Sequence, residues 1–213
     1  PGVAAHEIGR QTKLRVVYGP VRAGDLPAFL DRGLEATAAM RRKTFPLAER
    51  IVLVPVELVG ALKLALPAAV VLFLLGGLGG SGTYWQRSLE HGGFAVTALF
   101  AGVLAGAILT PLLLPWLPGR AFSLKGLFAG TVTAALVTPL FGPEGASLPA
   151  LLEKGGWFVL IVVLAAFLGM NFTGASSYTS LSGVRREMRW AVPFQIGFGV
   201  LGLGLWAASW FVT

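Results

Sequence analysis

Arg41-Arg-Lys-Thr-Phe-Pro-Leu-Ala-Glu-Arg50-Ile-Val-Leu-Val-Pro55 is where the chain changes character. Only 13% of the 213 residues are charged, against about 25% in an ordinary soluble domain. The deficit is local. Residues 1–50 hold nine of the 17 Lys and Arg and five of the 10 Asp and Glu. Beyond them, five apolar runs are expected to be helices, at about 55–78, 93–115, 122–141, 155–172 and 190–211. Each is near the roughly 20 residues needed to cross hydrocarbon. The expected organisation is an α/β unit over residues 1–40, a basic juxtamembrane linker over 41–54 and a membrane domain over 55–213. The fold class is therefore mainly α, a five-helix transmembrane bundle preceded by the end of an α/β domain.

Within the first unit, Val3 to Thr12 suits a short helix and Leu14 to Tyr18 a strand, since Leu-Arg-Val-Val-Tyr is β-branched and Gly19-Pro20 breaks it. Asp25 is placed to cap a helix from Leu26, with Pro27 in its first turn and Gly33 beyond its end. Helix, strand, loop, helix is the closing order of a doubly wound sheet, whose ligands sit beyond the carboxyl ends of the strands. That makes Tyr18, Gly19, Pro20, Val21 and Arg22 one candidate binding loop, and Pro1, Gly2 and Val3 its counterpart after a preceding strand. About 35 residues cannot form such a sheet alone. The chain is read as an N-terminally truncated view of a longer protein.

Glu57 and Lys63 fall early in the first apolar run, so an interfacial helix is expected there, bending at Pro67 into the span proper. Nine basic residues (Arg41, Arg42, Lys43, Arg50, Arg120, Lys125, Arg185, Arg186, Arg189) flank one set of span ends, and Arg87 and Lys154 the other. This asymmetry places residues 1–40 in the cytoplasm and the C-terminus outside. Trp85, Trp116, Trp157, Trp190 and Trp210 fall near span ends, as interfacial anchors do. Gly102 and Gly106, and Gly197, Gly199, Gly202 and Gly204, are small residues of the kind that let helices approach closely, within one chain or between two.

The spans are read as lacking a central acid, base or His, which argues against an ion pump or ion-coupled carrier. The stretch from Asn171 to Val184 carries seven hydroxyls and is followed by Arg185, Arg186 and Arg189. It is either an anion-holding segment or a solvated loop with helix caps, Ser182 among them. His6 is expected at a surface and His91 in an external loop, neither with partners at metal-ligand spacing. The absence of cysteine excludes disulfides, thiolate metal sites and thiol catalysis by these residues. The net charge of +7 sits in clusters beside apolar runs, a membrane pattern, and no nucleic-acid partner is expected.

Pro1-Gly-Val-Ala-Ala-His-Glu7, Val16-Val-Tyr-Gly-Pro-Val-Arg-Ala23, Asp25-Leu-Pro-Ala-Phe-Leu30, Pro55-Val-Glu-Leu58 and Asn171 to Met188 closely resemble the HgcA family of mercury-methylating corrinoid proteins. The first unit also resembles the corrinoid domain of the corrinoid/iron–sulfur protein of acetyl-CoA synthesis, which lacks the five-span tail. The resemblance implies a cytoplasmic Rossmann-like domain holding a cobalamin-type corrinoid, with a cap-helix Cys below its cobalt. It implies transfer of a carbanion-like methyl group from methyl-cobalt to Hg(II), giving methylmercury. The methyl donor would belong to a methyltetrahydrofolate pathway. A ferredoxin-like partner with two 4Fe–4S clusters would return cobalt to Co(I). Cobalt does the difficult chemistry and protein supplies ligation and orientation.

The Cys and its cap helix are not among these residues, so no catalytic or metal-ligating residue is assigned here and the segment by itself is expected to be inactive. Corrinoid contacts are expected from Pro1, Gly2, Val3, Tyr18, Gly19, Pro20, Val21 and Arg22. Two other readings stand beside this one. One is a membrane-anchored corrinoid protein of one-carbon metabolism with another methyl acceptor. The other is a non-catalytic membrane scaffold or permease.

Overall fold

The computed structural model describes residues 5–41, 46–79, 82–175 and 181–212. The chain divides into two compact units, Pro1–Pro46 and Leu47–Thr213. In the first, α1 spans Ala5–Thr12 and α2 spans Leu26–Asp31. In the second come α3, Leu47–Leu75; α4, Tyr84–Leu113; α5, Phe122–Phe141; α6, Leu148–Ala175; and α7, Leu181–Ala208.

Among the described residues of the first unit, Phe29 on α2 is the buried side chain. Leu14–Tyr18 is not a strand: residues 13–20 have no regular structure, and no strand exists among the described residues. A strand's N–H and C=O groups bond only to a neighbouring strand, and none is there to pair with it. Asp25 precedes α2 as expected but its carboxylate makes no capping bond, because a 3-10 turn, Ala23–Asp25, leads straight into the helix. The stop at Gly33 is as the sequence indicates. Gly33 has φ +68°, its N–H bonds Leu30 O at 3.0 Å, and the Leu34 N–H bonds Phe29 O at 3.1 Å. That pair of bonds satisfies two carbonyls of the last turn.

Five helices of the second unit are long and apolar enough to cross a membrane. α3 is one continuous helix of 29 residues with Pro55 and Pro67 inside it. Residues 47–54 of the expected linker therefore belong to α3, and among the described residues no separate interfacial helix precedes the span. Lys63 is an exposed residue near the middle of this helix rather than in its opening turns. α4 begins nine residues before the expected Gly93 and contains two π-helical turns, Ser88–Gly92 and Ala105–Leu109. The second precedes Pro111, which has no N–H to give and whose ring crowds the preceding turn; there Thr110 Oγ1 donates to Ala105 O at 2.8 Å. The expected loop from Asn171 to Val184 is mostly helix. Asn171–Ala175 ends α6 and Leu181 begins α7, so Ser182 lies within that helix. Residues 176–180 lie outside the described ones.

α6 is the centre of the bundle and packs against each of the other four helices. Half of the apolar stretch of α4 and of α6 is buried, against 11% in α3 and 17% in α7. The close approaches are made by glycine. A Cβ on Gly126 of α5 would lie 2.8 Å from Ala166 Cα, and one on Gly106 of α4 would lie 3.0 Å from Ala165 Cα. One on Gly202 of α7 would lie 3.0 Å from Gly156 O. Gly102, Gly106 and Gly202 thus serve packing within the chain, while Gly197 and Gly204 face open space. One core layer joins Phe94, Ala98, Ala134, Trp157, Ile161 and Trp206; another joins Ala65, Val103, Ala107 and Leu168. Trp157 is therefore a core residue, 3% exposed. Trp85, Trp116 and Trp190 are surface residues as interfacial anchors should be.

Gly126→Ala should destabilise the bundle by about 1–3 kcal/mol, the usual range for overpacking. Gly204→Ala should change little, since nothing lies within 4 Å of that position. Thermal unfolding of the two variants in the same detergent checks the contrast.

Candidate functional site

Three arrangements carry polar chemistry. The first is the loop after the irregular segment. Pro1, Gly2 and Val3 lie outside the described residues. Tyr18, Gly19, Val21 and Arg22 are exposed and Pro20 half-exposed. Tyr18 Oη accepts a bond from the Ala5 N–H at 3.1 Å, and the Val21 N–H donates to Met40 O at 2.9 Å. The Arg22 carbonyl accepts from the Asp25 N–H at 3.1 Å. The loop is thus pinned to α1 and to the segment after α2. A Cβ on Gly19 would meet only the Phe29 ring edge, at 4.0 Å. The backbone there is open to close approach. Leu14, Val17, Tyr18 and Val21 are all more than 40% exposed.

A corrinoid ring is the group that the sequence motifs imply for this loop. An open glycine backbone flanked by exposed Tyr18 and Val21 fits lateral contact with such a ring. No residue of the chain supplies a thiolate, because it has no cysteine. Tyr18–Arg22 therefore fits as a contact surface only.

The second arrangement lies at one end of the bundle, where charged side chains close helix termini. Arg50 is 5% exposed and its Nη1 donates to Pro111 O at 3.0 Å and Leu112 O at 2.8 Å. These carbonyls lie at the end of α4 and have no helical partner of their own. Lys125 Nζ donates to Leu114 O and Leu117 O at 2.5 and 2.8 Å. Glu187 Oε1 accepts the Ser123 N–H at 2.6 Å, capping α5 from α7. Cations meet carbonyl ends and a carboxylate meets an amide end, as the helix dipoles favour.

The third lies at the opposite end. Glu153 of α6 is buried, 4% exposed at its side chain, and its Oε2 is 2.7 Å from His91 Nδ1. His91 is in the first π-helical turn of α4 rather than in a loop. A cavity of about 570 Å³ opens beside the pair, lined by Arg87, Glu90, His91, Glu144, Glu153 and Trp210 among others. His91 and Glu153 flank the expected spans rather than lie at their centres, and the helix crossing brings together two groups 62 residues apart. Sequence spacing cannot show such a pair. The available signal was an acid, Glu153, one turn into a long apolar run. Among the described residues no group of three His, Cys, Asp or Glu gathers as a metal site.

Arg50→Gln should cost about 1–3 kcal/mol by leaving two buried carbonyls without their donor. Arg50→Lys should recover part of it. Denaturant unfolding in detergent measures both.

No family model, no curated protein and no solved structure matches the chain.

Proposed function

We propose that this chain is the membrane-anchoring part of a corrinoid-dependent methyltransferase whose methyl acceptor is Hg(II), with methylmercury as product. The motif resemblance is the ground for the reaction. The observation that carries it is the state of the Tyr18–Arg22 loop: pinned at both ends, exposed, apolar at Tyr18 and Val21, and unobstructed at Gly19. A bound corrinoid supplies the methyl-carrying metal. The residues of this chain supply a surface against one side of it and a tether to the membrane.

In this reading residues 1–40 complete a Rossmann-like corrinoid domain, and their exposed apolar side chains are its buried face. The cap-helix Cys belongs to the part of the protein outside these residues. A ferredoxin-like protein with two 4Fe–4S clusters is the electron donor, and the methyl group comes from a methyltetrahydrofolate pathway. The membrane is the cytoplasmic one. Residues 1–40 lie on its inner side, with Arg50 and Lys125 at that end of the bundle and the His91–Glu153 pair at the outer end.

The complete protein, made anaerobically with its ferredoxin partner, should form methylmercury only when corrinoid is supplied. Gly19→Leu should lower corrinoid retention and methylmercury formation by about tenfold or more, the worth of one lost close contact of about 1.4 kcal/mol, without altering membrane insertion. A holo-complex that methylates some other acceptor and not Hg(II) would instead point to a corrinoid protein of one-carbon metabolism.

Sidedness can be tested with single cysteines, since residues 1–213 contain none, in a background where the cap-helix Cys is replaced. Pro143→Cys should react with an impermeant maleimide in intact cells. Arg120→Cys should react only after permeabilisation. The reverse pattern would place residues 1–40 outside.

A further inference from the structure

Lys63 places a charge at mid-depth on the outside of a membrane helix. Arg50 marks one end of the bundle on α3 through its bonds to Pro111 O and Leu112 O. Phe73 lies near the other end, where a Cβ on Gly92 would lie 2.9 Å from Phe73 Cα. Along the helix axis Lys63 is about 20 Å from Arg50 and about 15 Å from Phe73. That is near the middle of roughly 30 Å of hydrocarbon, and its four-carbon stem falls short of either edge. Lys63 is thus a central base, contrary to the expectation that the spans lack one. It is exposed, and among the described residues it makes no hydrogen bond or ion pair. Charged groups within spans almost always face protein and are paired there.

Its neighbours on α3 form a seam. Val52, Val56, Val59, Lys63, Leu66 and Val70 recur at alternating steps of four and three, which keeps them on one face of the helix. The five apolar members are each more than half exposed, and only 11% of the apolar stretch of α3 is buried within the chain. Gly60, one turn before Lys63, has nothing within 4 Å of its Cβ position, so a second backbone can come close. Four-three spacing is the pattern of paired helices, and a single Lys in such a seam sets register by what it meets across the interface.

A second copy of this chain does not supply what Lys63 needs. Two parallel copies of α3 set Lys63 against Lys63. Glu57, on the same helix, is about 9 Å along the axis and about a third of a turn round from Lys63. The acids of α4, α6 and α7 are Glu90, Glu153 and Glu187, all in the first two turns of their helices, and α5 has none.

We propose that the Val52–Val70 face of α3 docks a transmembrane helix of a different protein, which carries an Asp or Glu at mid-depth to pair with Lys63.

The test is energy transfer in phosphatidylcholine liposomes. The complete protein carries the donor, and a synthetic helix of valine and leucine with one central Asp carries the acceptor. Transfer should saturate as the synthetic helix is added. Binding should weaken about tenfold or more with Lys63→Leu, a variant that removes a charge from lipid and leaves the packed faces of the bundle intact. The same loss is expected when the Asp of the synthetic helix is replaced by Leu or moved to its end. Lys63→Asp paired with a synthetic helix bearing a central Lys should restore binding. No saturable transfer, or equal transfer to Lys63→Leu, would overturn the proposal, as would self-association of the protein that excludes the synthetic helix. Loss of transfer in phosphatidylglycerol liposomes would assign Lys63 to a lipid phosphate and overturn it too.

Discussion

Hydrocarbon offers no hydrogen bonds, and the second unit is organised around that constraint. Every backbone polar group in a span must be satisfied within the protein. Helices do this along their length and fail at their ends. Here Arg50 answers two of the last carbonyls of α4, Lys125 answers carbonyls just beyond them, and Glu187 answers the amide of Ser123 in the first turn of α5. At the far end Tyr84 Oη donates to Leu74 O and Arg87 to Gly77 O. Four charges of the membrane unit, Arg50, Arg87, Lys125 and Glu187, are spent on helix termini. That is why a basic stretch that reads as a lipid anchor contains, in Arg50, a buried structural residue.

Satisfying the backbone does not by itself hold helices together in lipid; close packing does. α6 is the element on which packing converges, and its small residues Gly156, Ala165, Ala166 and Gly169 meet glycines of α4, α5 and α7. The consequence is an uneven bundle. α4 and α6 are half buried while α3 and α7 are mostly peripheral. The His91–Glu153 pair lies between the two buried helices. Charged groups at that crossing are shielded from lipid by protein, the condition under which such groups persist in membrane helices.

The spans were legible because length and hydropathy alone decide them: Phe122–Phe141 agrees to the residue, and the others differ chiefly by extending further. Gly33 was legible because its positive φ is a local requirement. What failed was whatever depends on partners. Leu14–Tyr18 has the composition of a strand, but pairing is supplied from elsewhere in a fold. Trp157 sits near a span end and reads as an anchor, yet its neighbours Phe94 and Trp206 bury it. The His91–Glu153 pair depends on a crossing of α4 and α6 that no spacing encodes. The Tyr18–Arg22 loop was singled out as the turn after an expected strand; that strand is absent among the described residues, and the loop itself is exposed and bonded to Ala5 and Met40.

The account rests on α6 as the packing axis, and the contact of α4 with it is the most direct point to probe. A Cβ on Gly102 would lie 3.3 Å from Leu164 Cβ, close to the separation of about 3.5–4.5 Å that a disulfide bridges. Residues 1–213 hold no cysteine, so the pair Gly102→Cys and Leu164→Cys can be oxidised in membranes, with any cysteine outside them replaced, and read by mobility. Rapid, near-complete bridging is the expected result, with none for Gly204→Cys paired with Leu164→Cys. Bridging of the control pair, or failure of the first pair in a folded protein, would contradict the arrangement.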